Sequence, residues 1–84
     1  MHHIARSSKS LGHSLKLIRI ENDLTQDELA KRLNTSQKTI SRIENGGLGV
    51  VFNLVFRLLS ILNYEVEIRP RKVGSAQDIA DMFK

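Results

Sequence analysis

Apolar positions recur at helical spacing along most of the chain and then switch to alternation near residue 64. Leu11, Leu15 and Ile18 stand at i, i+4, i+7, which predicts a helix from about Ser10 to Asn22 with one buried stripe. Asn22 and Asp23 break that pattern with turn-forming side chains. Thr25 opens a second helix: its hydroxyl accepts from the free N–H groups of the first turn, and Glu28, three residues on, completes a capping box. Leu29, Ala30 and Leu33 form the inner face, and Asn34 suits the tight exit because asparagine tolerates the left-handed backbone. Thr35 or Ser36 caps a third helix, with Ile40 and Ile43 inward and Gln37, Lys38, Ser41 and Arg42 outward. Asn45, Gly46 and Gly47 end it.

From Val51 to Leu62 runs the most apolar segment, in which Asn53, Arg57 and Ser60 are the polar residues and share one narrow side. A helix this apolar on the rest of its surface is buried on more than one face, which points to a dimer interface. Next, Tyr64, Val66 and Ile68 alternate with Glu65, Glu67 and Arg69, the period of a half-buried strand. Nothing else in the chain reads as a strand, so the expected partner is the same segment of a second copy, antiparallel about a two-fold axis. Centring the pair on Ile68 sets Glu67 opposite Arg69 and Glu65 opposite Arg71, so every cross-strand charge attracts. In the remaining tail Ser75 and Asp78 start a possible short helix with Ile79, Met82 and Phe83 on one face. At about two turns it needs a partner, either its own dimer or the groove of another protein.

Composition narrows these elements to one small domain with tails: 84 residues bury too little surface for comfort, and a partner subunit would help. With no cysteine, disulfides and thiolate metal sites are excluded, and the chain suits a reducing cytosol. No apolar run approaches the roughly 18 residues of a membrane span, because Arg57 interrupts the longest, and MHHIARSSKS contains no secretion-signal core. Met1 to Ser10 reads as a flexible arm, and His2, His3 and His13 have no other ligand type arranged around them. A glycine-rich phosphate loop with lysine and a His/Asp/Ser constellation are also missing, so neither a cofactor nor an enzyme is expected.

The formal net charge of +4 fits a polyanionic partner, and its distribution adds more. Met1 to Asn45 carries eight basic and five acidic residues, whereas Gly46 to Lys84 carries five and four. The positive excess thus sits mainly in the half that carries the two short helices from Thr25 to Gly46, which are joined by too brief a connection to cross a domain. That is the layout of a helix-turn-helix, which places a helix N-terminus in the DNA major groove. Glutamine pairs bidentately with adenine and lysine with guanine, which makes Gln37 and Lys38 candidate base readers. Gln26, at the head of the second helix, is placed to hold a phosphate oxygen. Arg42 reaches another base or the backbone, and Ser36, Thr39 and Ser41 donate to phosphates or bases.

Thr25-Gln26, Glu28-Leu29-Ala30, Ile40-Ser41 and Glu44-Asn45-Gly46 resemble the signature of the Xre family, the helix-turn-helix class of phage Cro and repressor proteins. In that family the positions of Gln26, Gln37, Lys38, Ser41 and Arg42 meet DNA. The order VFRLLSILNYEVEI further resembles HipB-like antitoxins, whose last helix runs into a strand that pairs across a homodimer. Gly47-Leu48-Gly49-Val50-Val51 replaces the threonines that usually open that helix, and Lys72 to Lys84 follows no family pattern.

The resemblance implies an all-α fold, a four- to five-helix lambda-repressor-like helix-turn-helix domain with one C-terminal β-strand pairing across a homodimer. The expected organisation is an arm at 1–10, the DNA-binding domain at 11–63, a dimerisation strand at 64–71 built on Tyr64, Val66 and Ile68, and a tail at 72–84. It also implies a repressor that autoregulates its operon and, as the antitoxin of a type II toxin–antitoxin system, binds a HipA-like serine/threonine kinase toxin, with Ile79, Met82 and Phe83 as candidate contacts. Its place would be the cytoplasm, associated with the nucleoid. The alternative is a stand-alone phage-type or HigA-like regulator.

Overall fold

The computed structural model describes residues 2–47 and 52–71. Four helices follow in order: α1 (Ser8–Glu21), α2 (Gln26–Arg32), α3 (Gln37–Glu44) and α4 (Phe52–Ile61). Helix α1 starts two residues before the expected Ser10 because a pair of serines caps it. The Ser7 hydroxyl accepts from the Ser10 N–H at 3.0 Å, while the Ser10 hydroxyl accepts from the Ser7 N–H at 3.0 Å. This is a capping box built without the usual glutamate or glutamine, and it draws the end of the expected arm into the helix.

Left-handed residues set the exits. Asp23 (φ 57°), Asn34 (φ 55°) and Asn63 (φ 64°) follow α1, α2 and α4, and Gly46 (φ 93°) follows α3. The expectation for Asn34 holds, and its neighbour completes the turn: the Thr35 N–H donates to the Ala30 carbonyl at 2.9 Å. The same backbone geometry at Asn63 lets the Tyr64 N–H donate to the Leu59 carbonyl at 2.8 Å.

Leu15, Ile18, Leu24, Leu29, Ala30, Leu33, Ile40, Ile43, Val55, Leu58, Leu59 and Leu62 form one core, with Leu11, Leu54 and Tyr64 packed at its edge. The stripes expected on the first three helices are therefore the ones that meet. Helix α1 reaches α3 at Gly12, where a Cβ would lie 2.4 Å from the Ile43 carbonyl oxygen, so backbone touches backbone. Helix α4 gives Val55, Leu58 and Leu59 to the core and leaves Phe52, Phe56 and Ile61 exposed. Its polar Arg57 reaches back to α2, donating to the Leu33 carbonyl at 3.2 Å.

The described residues contain helices and no strand, so the β-strand expected at 64–71 is not formed within one chain. The physical reason is that a strand takes its hydrogen bonds from a neighbour, and no neighbouring segment supplies them here. Val66 and Ile68 stay half and almost fully exposed. The possible tail helix with Ile79, Met82 and Phe83, and the residues Leu48 to Val51, lie outside the described residues.

Candidate nucleic-acid interface

Helix α2 is fixed at its start by the expected capping box. The Glu28 N–H donates to the Thr25 hydroxyl and the Thr25 N–H donates to the Glu28 carboxylate, both at 3.0 Å. The Thr25 backbone N–H, and then its hydroxyl, hold the Glu28 carboxyl below its ordinary value of 4.5. Helix α3 is capped by Ser36, the second of the two expected candidates, whose hydroxyl accepts from the Thr39 N–H at 3.1 Å. Ser36 and Thr39 hydroxyls also bond one another at 2.9 Å. Both side chains thus organise the start of α3, and one of their hydroxyl protons is already used.

On the outer face of α3, Gln37, Lys38 and Arg42 are exposed and Thr39 and Ser41 half-buried. Gln26, heading α2, is half-buried beside them. The Gln37 amide donates to the Gln26 amide oxygen at 3.4 Å, and Gln26 donates to the Glu44 carboxylate at 3.0 Å. The turn therefore brings together two glutamines eleven positions apart. An amide carries two N–H donors and an oxygen acceptor. After this exchange Gln37 keeps one N–H and its oxygen, the pair that adenine N7 and N6 require. Gln26 keeps one N–H.

Behind the glutamines lies an ion pair that pattern reading missed. Arg19 Nε donates to Glu44 Oε2 at 2.6 Å and Nη2 to Oε1 at 3.1 Å, while Nη1 donates to the Leu24 carbonyl at 2.7 Å. Both residues are buried. The Glu44 carboxylate thus receives Arg19 on its core side and Gln26 on its outer side. A signal was present: Arg19 follows Leu15 by four and Glu44 follows Ile40 by four, so each charge sits on a buried stripe and demands a partner. The network Arg19–Glu44–Gln26–Gln37 ties the exposed edge of α3 to the core. Charge-assisted bonds of this bidentate kind are shorter and stronger than neutral ones.

Lys38 and Arg42 supply cations on the α3 face, whereas Lys31 on α2 is paired with Asp27 at 3.1 Å. No group of three or more His, Cys, Asp or Glu able to hold a metal occurs among the described residues. Nor is any helix among them long and apolar enough to cross a membrane.

A helix-turn-helix family model matches residues 15–68, which spans the core helices, both glutamines and the ion pair. Antitoxin HipB of Escherichia coli strain K12 is 32% identical over 71 residues, covering 84% of this chain and 81% of that protein. The chain belongs to the HipB-like helix-turn-helix family. An uncharacterized HTH-type transcriptional regulator of Methanocaldococcus jannaschii is 34% identical over 55 residues, covering 66% of this chain and 83% of its own length. Among solved structures, HipB in a HipB–O4 20mer complex superposes with a TM-score of 0.74 at 31% identity, covering 84% of this chain and all of that one. A chain of the HipA–HipB–O2–O3 complex gives the same TM-score, identity and coverage. The four-helix arrangement of this chain is thus the HipB-like one.

Proposed function

We propose that the protein is a homodimeric, sequence-specific DNA-binding repressor that autoregulates its operon and acts as the antitoxin of a type II toxin–antitoxin system, neutralising a HipA-like serine/threonine kinase toxin. The observation that carries the DNA-binding part is the Gln26–Gln37 pair at the heads of α2 and α3. It presents a phosphate-holding amide beside a base-reading one. In this reading Gln37 and Lys38 read base edges, Arg42 and Ser41 reach a base or the backbone, and Gln26, Ser36 and Thr39 meet phosphates.

The dimer part draws support from Phe52 and Phe56, exposed side by side on α4, and from Val66 and Ile68, exposed on the segment after it. A single helix-turn-helix module binds weakly, and two copies about a dyad read a palindrome. Tyr64, Val66 and Ile68 then form the strand that pairs with its copy. The toxin part is supported by relatives named antitoxin and by a relative solved together with HipA. Ile79, Met82 and Phe83 are proposed toxin contacts. The protein acts in the cytoplasm, at the nucleoid.

The matching Methanocaldococcus jannaschii protein, named only as a transcriptional regulator, supports the second reading, a stand-alone phage-type or HigA-like regulator. Affinity capture of a kinase encoded beside this gene separates the two. Stable capture and loss of kinase activity in the complex are expected; a neighbouring kinase that does not bind, or no such neighbour, removes the antitoxin role.

A further inference from the structure

Residues 2–6 run beside residues 64–71, and between these two segments opens a trough of about 710 Å³. His3 pins the N-terminal strap in place. Its ring meets that of Tyr64 edge-on, with centroids 6.1 Å apart, and its Nε2 lies 3.8 Å from the Glu21 carboxylate. The His3 side chain is only 14% exposed, so the strap is anchored on both α1 and the segment after α4. A second groove of about 630 Å³ is lined by Phe56, Leu59, Tyr64 and Val66.

The strap does not cover the segment it accompanies. Ile4, Val66 and Ile68 remain 56%, 50% and 95% exposed. Among the described residues no backbone hydrogen bond joins residues 2–6 to residues 65–71. A cap would bury those side chains and satisfy that backbone; this strap forms one wall and leaves the trough open.

We infer that the trough seats the 64–71 segment of a second copy, so that the N-terminal strap is part of the dimer interface. This rests on the homodimer reading above and extends it to residues outside the strand and α4. The choice of occupant follows from charge. Glu65, Glu67, Arg69 and Arg71 all line the trough, and in an antiparallel pair centred on Ile68 the two glutamates meet the two arginines. Arg6 of the strap lines the same space and adds a cation for the incoming glutamates. Seating the copy buries Ile4 against it, and two-fold symmetry makes every strap contact occur twice.

The test is the dimer dissociation constant, measured by sedimentation equilibrium on the full-length protein, Ile4→Asp, Ile68→Asp and a chain lacking residues 1–5. Ile4→Asp and the shortened chain are expected to weaken dimerisation by about tenfold or more, since two half-exposed isoleucines lose their burial. Helix content and melting of the Ile4→Asp monomer stay as they are, because Ile4 lies outside the core. Unchanged or tighter dimerisation in both variants overturns the strap's role, and a weakening by Ile68→Asp alone leaves the strand reading standing without it. A wild-type chain that is monomeric at micromolar concentration overturns the homodimer itself.

Discussion

Replacing the buried ion pair should separate folding from the proposed DNA reading, because the same carboxylate holds Arg19 in the core and Gln26 at the outer face. In Glu44→Leu the Arg19 guanidinium stays buried without its counter-charge, and in Arg19→Met the Glu44 carboxylate does; the two side chains are 10% and 2% exposed. Breaking a buried pair from one side costs about 3–5 kcal/mol. A domain of this size has about 5–10 kcal/mol in total, so either single variant approaches unfolding. Removing both partners behaves differently, since well-packed apolar substitutes for a buried pair are often near neutral. What remains lost is the Arg19 donor to the Leu24 carbonyl and the Glu44 acceptor for Gln26, each worth about 1 kcal/mol. The double variant is therefore expected to sit about 2 kcal/mol below wild type, folded and dimeric.

It should still bind DNA poorly. Without Glu44, Gln26 loses the bond that orients it, and Gln37 loses the neighbour that holds its amide in a base-reading pose. A well-placed bidentate pair is worth about 1–3 kcal/mol, so about tenfold in affinity should disappear. The dependence on salt should stay unchanged, because no phosphate-gripping cation is removed. Urea unfolding followed by circular dichroism gives the stabilities, and fluorescence anisotropy on a palindromic duplex gives the affinities. A double variant that binds as tightly as wild type would refute the link between core and reading head. Single variants that cost less than about 1 kcal/mol would refute the energetic role of the pair.

Three further outcomes follow from other parts of the molecule. Because the Thr25 N–H depresses the Glu28 carboxyl, the folded state gains from ionised Glu28 above the ordinary value of 4.5 and loses that gain as pH falls through the depressed value. Glu28→Gln should therefore flatten the acid fall of the urea midpoint below about pH 4.5; an unchanged acid limb argues against the capping interaction. Gly12→Ala pushes a Cβ against the Ile43 and Glu44 carbonyls and should cost about 2 kcal/mol, read as a melting temperature lower by roughly 10 °C. An unaltered melting point would show that α1 and α3 separate easily. Lys38→Ala should lower the slope of log affinity against log salt by about one if the lysine grips phosphate, or relax one base preference if it reads guanine; no change in either removes it from the interface.

The helices were legible because their signals are local. Leu11, Leu15 and Ile18, the Thr25–Glu28 box, Asn34 and the inward Ile40 and Ile43 each depend on neighbours within a few residues. The outward placement of Gln37, Lys38 and Arg42 was legible for a related reason: residues outward on a helix follow from those that point inward. Three features depended on more distant partners and were missed. The approach of α1 to α3 at Gly12 depends on the last turn of a helix thirty-one residues away. The Arg19–Glu44 pair spans twenty-five. The strap on Tyr64 joins the two ends of the described chain. The early start of α1 was missed because Ser7 and Ser10 cap each other without an acidic residue to mark the box. The strand at 64–71 differs in kind, since the alternation is plain but a strand takes its bonds from a neighbour, and none of the described segments supplies them.

The central claim is that the start of α3 reads bases in the major groove, twice, about a dyad. Selection of bound duplexes from a random DNA pool, run in parallel with the wild-type protein and Gln37→Ala, tests it most directly. The account predicts a palindromic wild-type site whose half-sites are centred about 10 base pairs, or a multiple of that, apart. It also predicts one adenine preference per half-site that disappears in Gln37→Ala while the other positions persist. Recovery of no symmetric site, or of the same base preferences from both proteins, would contradict it.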